Sequence, residues 1–243
     1  GEDLPLHLNG MFAFCIFEKL GGKLFLARDR FGEKPLYWTQ TNGLFAFGSE
    51  LTAVSSHGGV SDEVSVTGLQ KLLAYGFLPP PHTFLRHVHK LGDGCCLTLN
   101  IQSGRTYLRR YWQFSLDPQA AWLRRSDEDV AEELRGLLKA SVEARLAADV
   151  PVGFFLSGGL DSSSVLALAA QVRSPESMQA FTVGFFERSY DESRFADQVA
   201  RSLNVRNKVR HLDLAMAKTE IPGVLSRLDE PSCDPSILPT YLL

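Results

Sequence analysis

The stretch PVGFFLSGGLDSSSVLALAAQV, Pro151–Val172, decides how the second half of this chain folds. An apolar run ending at Leu156 breaks into Ser157, Gly158, Gly159, Asp161 and the serines 162–164, then turns apolar again. The pattern predicts a buried strand, a tight loop and a helix. Two readings of the loop follow. One is a helix cap with a glycine turn. The other is an anion cradle, because a helix start offers unpaired N–H groups and the positive end of its dipole. Gly158 and Gly159 carry no Cβ, so backbone N–H groups can close around phosphate oxygens. Ser157, Ser162 and Ser163 add hydroxyl donors. Asp161 is the odd member, since a carboxylate repels phosphate; it becomes sensible if it holds a Mg²⁺ that bridges to phosphate oxygens. The loop has no lysine, as a Walker A sequence needs, and Phe155 stands where a nucleophile elbow needs Gly.

Working outward, QAFTVGF (179–185) reads as a strand, ESRFADQVARSL (192–203) as a helix and KVRHLDL (208–214) as a strand. Upstream, Ser126 with Asp129 three residues later resembles a capping box. The helix it opens carries Val130, Leu134, Leu137, Leu138, Val142 and Leu146 near helical period, a face expected to point inward. Alternating strands and helices predict a parallel sheet with covering helices.

The first half reads differently. MFAFCIF (11–17) has apolar residues on both alternating sets, so it is expected to be buried on both faces. KLFLAR follows Gly21-Gly22, and LFAFGS follows Asn42-Gly43, a strong hairpin signal. A helix is expected from near Thr67 to Gly76 with Leu69, Leu72 and Leu73 inward. LPPPHTF (78–84) must be irregular, and CCLTLN with RTYLRRYW reads as a hairpin around Gln102–Gly104. Arg28, Asp29 and Arg30 read as an ion-paired strand end and turn. The segment 115–129 is the expected boundary.

The chain has 243 residues, and its net charge of −3 gives no broad grip on nucleic acid or anionic membrane. Apolar runs break well short of the roughly 20 residues of a spanning helix. The first ten residues have no basic and apolar leader pattern. Cys15, Cys95, Cys96 and Cys233 lack C-x-x-C spacing and are expected as reduced, mostly buried thiols. His82, His87 and His89 lack an acidic or Cys partner at ligand spacing, so a metal is not expected there. Asp191 and Glu192 read as a helix start. For Asp229, Glu230 and Asp234, a solvated turn and a substrate contact remain equal alternatives.

The motif SGGLDSS resembles the pyrophosphate loop of ATP pyrophosphatases. Further segments narrow the likeness: LNGMFAFCIFE, LARDRFGEKPLYW, AFGSELTAV, LLAYGFLPPPHTF, FTVGFFERSYDESRFADQVA and LDEPSCDPSILPTYLL. Together they resemble glutamine-hydrolysing asparagine synthetases over nearly the whole chain. The resemblance implies an α/β chain of two domains. Residues 1–117 would be the C-terminal half of a glutaminase type 2-like domain, a partial N-terminal-nucleophile β-sandwich with α layers. Residues 118–127 would be a linker. Residues 128–243 would be the N-terminal half of a parallel α/β synthetase domain.

The implied activity is ligation. ATP–Mg²⁺ would activate aspartate as β-aspartyl-AMP, and ammonia from glutamine would give asparagine, AMP and pyrophosphate. The resemblance assigns ATP binding to Phe155, Leu156, Ser157, Gly158, Gly159, Asp161, Ser162, Ser163 and Val183, with Asp161 as the Mg²⁺ ligand. Phe155 and Val183 would contact the nucleotide through their backbones. It implies aspartate and glutamine or ammonia as small-molecule substrates, a cytoplasmic enzyme and no nucleic-acid or membrane partner, and it leaves a homodimer open. The family's nucleophilic cysteine and glutamine-gripping residues would precede Asn9, and its second synthetase motif would follow Leu243. The chain therefore reads as a fragment that should not turn over alone, with no catalytic residue in its glutaminase part. Related adenylating amidotransferases and cyclases, of β-lactam synthetase or lasso-peptide cyclase type, and a non-catalytic nucleotide-binding paralogue are the alternatives.

Overall fold

A computed structural model describes residues 1–119 and 122–243; the expected linker over 118–127 includes Ala120 and Ala121, which lie outside the described residues. The fold is mixed α/β. Two compact units are present. One comprises Gly1–Leu116 with Arg227–Asp234, the other Asp117–Ser226 with Pro235–Leu243.

The first unit is built on two antiparallel sheets. Strands β1 (Ala13–Glu18), β2 (Lys23–Arg28), β6 (Cys95–Asn100) and β7 (Arg105–Arg110) lie in the order β1-β2-β6-β7. Strands β3 (Tyr37–Thr41), β4 (Leu44–Gly48) and β5 (Val88–Lys90) lie in the order β4-β3-β5. The β3–β4 hairpin turns through Asn42 and Gly43, both with positive φ (49° and 79°), the conformation that Asn-Gly favours. The sheets meet across Leu26, Leu97 and Leu99 of one and Trp38 and Phe45 of the other, with Leu36 and Leu91 between them. Helix α1 (Leu51–Ser55) covers the far face of the smaller sheet through Leu51 and Val54 on Tyr37 and Val88.

Strand β1 departs from the expectation of burial on both faces. It is an edge strand, paired only with β2, and Ile16 and Phe17 near its end are exposed. Its first half is covered: Ala13 and Cys15 join the inter-sheet core, and Phe14 packs near Phe25 on the opposite face. Helix α2 (Val66–Tyr75) starts at the Ser65 cap and ends at left-handed Gly76, but Leu69 and Leu73 point outward. The contact is made by Gly68 and Leu72 instead. A Cβ on Gly68 would sit 2.3 Å from the Thr83 carbonyl, so this helix approaches through its glycine, and the face one residue on turns to solvent.

Arg28 and Asp29 do not form the expected ion pair; each is consumed by backbone. Arg28 donates to the carbonyls of Lys34, Leu91 and Gly32 at 2.7–2.8 Å. Buried Asp29 accepts from the N–H groups of Phe12, Phe31, Glu33 and Lys34 at 2.9–3.3 Å. Burial alone would raise the Asp29 carboxyl, but these four bonds outweigh it and hold the group below the usual carboxylate range. Arg30 also serves backbone, donating to the Leu8 carbonyl at 2.6 Å. The thiols depart too: Cys96 alone is buried, Cys15 and Cys95 are half-buried, and Cys233 is exposed.

The second unit holds a parallel sheet in the order β10-β9-β8, from β8 (Gly153–Phe155), β9 (Gln179–Phe185) and β10 (Arg206–Leu212). Helices α3 (Asp127–Arg145), α4 (Leu160–Ala169), α5 (Ser193–Ser202), α6 (Leu214–Leu225) and α7 (Ile237–Leu242) accompany it. Its core gathers Phe154, Leu156, Leu166, Met178 and Ala196 with Leu146 at the end of α3. The α3 stripe is buried only there. Val130, Leu134, Leu137 and Leu138 are exposed, because the core sits beside the last turn of the helix and nothing among the described residues covers the earlier ones. Among the described residues no helix is long and apolar enough to cross a membrane.

Candidate functional site

The parallel order places the ends of β8 and β9 side by side, the position where open α/β sheets receive ligands. After Phe155 the backbone ladder makes one more bond, from the Leu156 N–H to the Phe181 carbonyl at 2.9 Å. The chain then leaves the sheet. Gly158 turns it at φ +83°, and Gly159 caps α4 with no side-chain bond. Helices α2, α3 and α6 are capped by the side chains of Ser65, Ser126 and Asp213; Gly159 gives α4 no such cap, so the sequence leaves its first-turn N–H groups to something else.

Ser157 and Ser162 close the loop on itself. The Ser157 N–H donates to Ser162 Oγ at 3.2 Å, the hydroxyls lie 3.0 Å apart, and the Gly159 N–H donates to Ser157 Oγ at 3.2 Å. Gly158 lies so close to α5 that a Cβ would meet the Ala196 nitrogen at 2.5 Å. Asp161 is exposed on the first turn of α4, and no hydrogen bond or ion pair to it is found among the described residues. Ser163 Oγ is buried without a hydrogen-bond partner.

A cavity of about 300 Å³ opens beside this loop. Five of the sequence-assigned residues line it: Phe155, Leu156, Ser157, Ser162 and Val183. Gly158, Gly159, Asp161 and Ser163 do not; they shape or flank the loop. Sequence reasoning missed Phe181 and Phe185, although both share the period-two face of Val183 on β9. It also missed Tyr190, Ser236 just before α7 and Thr240 within it, which lie in segments that carried the resemblance but were not singled out. The walls are thus aromatic and apolar near β9 and hydroxyl-bearing near the loop, a division suited to a ligand with a flat ring and an anionic chain. The residues fit ATP–Mg²⁺ on three counts: a glycine cradle that a Cβ would fill, an uncapped helix start and one free carboxylate. Mg²⁺ is commonly held by one or two carboxylates together with phosphate oxygens.

Other singled-out residues have different employment. Asp191 Oδ1 accepts from the N–H groups of Phe185 and Ser193 at 3.2 Å, and Oδ2 from the Ser193 hydroxyl at 3.0 Å, tying the end of β9 to the start of α5. These bonds, led by the Ser193 hydroxyl, hold its carboxyl below the usual range. Asp229 caps α1, accepting from the N–H groups of Leu51 and Thr52. Glu230 pairs with Lys90 at 2.5 Å and accepts from the Tyr37 hydroxyl at 3.0 Å, while its Oε1 is buried without a partner. Burial, then the Glu230 charge, pushes the Tyr37 phenol well up. His89 packs on Trp38 with ring centres 5.2 Å apart, and burial lowers its pKa. His87 Nε2 lies 3.6 Å from Glu63. Among the described residues no three His, Cys, Asp or Glu side chains are placed to share a metal ion.

Comparison with known proteins finds matches for both halves of the chain. Residues 1–112 match the glutamine amidotransferase domain, and residues 133–243 match asparagine synthase. The chain is thus of the class that joins a glutamine amidotransferase domain to an asparagine synthase domain. It is 31% identical to asparagine synthetase [glutamine-hydrolyzing] 1 of Bacillus subtilis over all of its own length and 37% of that relative's. It is 30% identical to putative asparagine synthetase [glutamine-hydrolyzing] 2 of Methanocaldococcus jannaschii, over 99% of this chain and 46% of that one. It is also 31% identical to amidase chyE of Penicillium rubens, over 92% of this chain and 34% of the relative. The chain thus carries the two kinds of domain matched above, resembles glutamine-hydrolysing asparagine synthetases over its whole length, and spans under half the length of these relatives.

Proposed function

We propose that the protein containing this chain makes asparagine from aspartate, ATP and the amide nitrogen of glutamine. The observation that carries the reading is the loop 157–163: left-handed Gly158, an α4 start with no side-chain cap and an unpartnered Asp161, set beside a cavity with an aromatic wall. In this reading residues 1–117 are part of a glutaminase-type β-sandwich domain and residues 128–243 the start of a pyrophosphate-loop synthetase domain. Phe155, Leu156 and Val183 border the nucleotide base. Ser157, Gly158, Gly159, Ser162 and Ser163 surround the phosphates.

Asp161 would hold Mg²⁺, which when bound offsets phosphate charge. The loop N–H groups orient the phosphate chain and stabilise the negative charge that grows on pyrophosphate as it leaves. Activation is needed because a carboxylate is a poor electrophile, and an acyl-adenylate has a good leaving group for ammonia. We place the protein in the cytoplasm, with aspartate and glutamine or ammonia as its substrates and a homodimer compatible with the reading.

The test uses the full-length protein. Aspartate-dependent exchange of pyrophosphate into ATP, followed by asparagine formation with glutamine or ammonium, is the expected result. Exchange that requires a different carboxylate would replace aspartate with that acceptor. Tight ATP–Mg²⁺ binding without exchange on any carboxylate would make the protein a nucleotide-binding paralogue.

A further inference from the structure

Beyond the cavity wall, a line of polar side chains runs from α5 through β10 and β9 to the root of the loop. The Leu156 N–H is the last group of β8 to use a backbone partner, the Phe181 carbonyl. The Leu156 carbonyl is held by a side chain: the Thr182 hydroxyl donates to it at 2.7 Å. That hydroxyl also faces Asn207 Oδ1 at 3.0 Å, and Asn207 Nδ2 donates to Asp197 Oδ1 at 2.8 Å. The Asp197 carboxylate fixes the amide, since the flipped amide would bring its own oxygen against a carboxylate. Asn207 Oδ1 therefore turns to Thr182, whose single hydroxyl hydrogen is shared between two acceptors, the Leu156 carbonyl at the shorter distance and Asn207 Oδ1 at the longer.

Thr182 is 2% exposed and lies on the face of β9 opposite Val183, so it lines no part of the cavity. Its effect is on the backbone. By taking the Leu156 carbonyl, it fixes the plane of the peptide that begins the loop. Gly158, two residues on, is pressed against the backbone of Phe195 and Ala196 in α5, the helix that also supplies Asp197. The loop is thereby fixed at two points, by contact with α5 at Gly158 and by the Thr182 hydroxyl at Leu156.

We propose that Thr182, through its hydroxyl bond to the Leu156 carbonyl, is a positioning residue that aims the 157–163 loop at its phosphate-bearing ligand. The proposal rests on the ATP reading for its ligand and on the hydrogen-bond line for its geometry, and the test separates the two. In the full-length protein, Thr182→Val removes the hydroxyl at nearly constant shape, Thr182→Ser keeps it, and Asn207→Ala cuts the line at a half-buried position. Two readouts are taken: amide hydrogen exchange over residues 156–163, and ATP–Mg²⁺ affinity with the KM for ATP set against kcat.

Losing a buried hydrogen bond predicts about tenfold faster exchange in the loop and about tenfold weaker ATP binding for Thr182→Val. KM should move more than kcat. Asn207→Ala leaves the Thr182 hydrogen to the Leu156 carbonyl alone, so this variant and Thr182→Ser should both stay within about twofold of the unmodified protein. If Thr182→Val does not fold, Thr182→Ala carries the test. If the unmodified protein binds no ATP–Mg²⁺, the ATP reading fails and loop exchange alone judges the positioning. Loop exchange and affinity unchanged in Thr182→Val, or in Thr182→Ala where that variant carries the test, would overturn the proposal. So would a Thr182→Ser variant as impaired as Thr182→Val, because shape rather than the hydroxyl would then be at work.

Discussion

Asp29 and Asp161 both stand just beyond the end of a strand, and each is three residues from a glycine in the left-handed region, Gly32 at φ +65° and Gly158 at φ +83°. Their surroundings are opposite. Asp29 is 1% exposed and accepts four backbone N–H groups. Asp161 is exposed, and no partner to it is found among the described residues. One carboxylate organises a turn by spending all its acceptor capacity inside the fold. The other keeps that capacity for something outside it. Residue type and local glycine do not separate these cases; the destination of the nearby N–H groups does.

The largest effect should come from breaking the satisfied site. Asp29→Asn replaces one acceptor oxygen with an amide that faces backbone donors. With an unsatisfied buried group costing about 1–3 kcal/mol, several stranded N–H groups predict a loss of about 4 kcal/mol or more. Urea unfolding followed through Trp38 and Trp112 fluorescence measures it. The pH dependence has a fixed sign. The folded pKa of Asp29 is depressed, so its stabilisation is present above the ordinary carboxylate value of about 3.9 and fades as pH falls through the folded value. The unmodified chain should therefore lose this stability below about pH 4, and Asp29→Asn should show a flatter acid limb. An unchanged acid limb would mean that Asp29 does not titrate with folding.

Glu230 extends the comparison to a carboxylate in between, paired yet with one oxygen unmatched. Glu230→Ala leaves Lys90, only 15% exposed at its side chain, without its counter-ion. Breaking a buried pair from one side predicts a cost of about 3 kcal/mol. The companion Lys90→Met with Glu230→Leu should recover most of it. A cycle showing no coupling would demote the pair to incidental contact.

Gly158→Ala comes next. The left-handed backbone costs a side chain about 1–2 kcal/mol, and the new Cβ would meet the Ala196 nitrogen at 2.5 Å. Stability should fall by about 2 kcal/mol, and ATP–Mg²⁺ affinity should fall about tenfold or more as the loop shifts. Equal affinity in the variant would detach this glycine from the ligand.

Much of this was legible in the sequence, for reasons that differ by element. The β8–loop–α4 unit announced itself because period, glycines and apolar flanks all agreed. The Asn42-Gly43 hairpin did so because few residues accept its turn. The α3 stripe was legible as a face but not as a partner: period shows which side is apolar, not what lies against it, and Val130 to Leu138 lie open. Leu69 and Leu73 were misplaced because the closest contact of α2 is a glycine, which carries no hydrophobic signal. Thr182, Asn207 and Asp197 were invisible for a further reason. They meet across a parallel sheet and a helix, with Thr182 and Asn207 25 positions apart in the chain, and no local pattern encodes such a contact.

The smallest effect on stability, and the one that decides the comparison, belongs to Asp161. An exposed side chain without internal partners can be changed at a cost within about 0.5 kcal/mol. Asp161→Asn should therefore unfold with the unmodified chain, and its two amide hydrogens find space in solvent rather than against buried donors. ATP binding measured with and without Mg²⁺ should nevertheless part the two proteins. The Mg²⁺-dependent gain in affinity should disappear in the variant while the Mg²⁺-free affinity holds or rises, since a negative charge beside the phosphates has been removed. A Mg²⁺ gain equal in both proteins would take the metal away from Asp161. A stability loss approaching that of Asp29→Asn would show that Asp161 has partners in the folded protein after all, and the contrast between the two aspartates would collapse into one structural motif used twice.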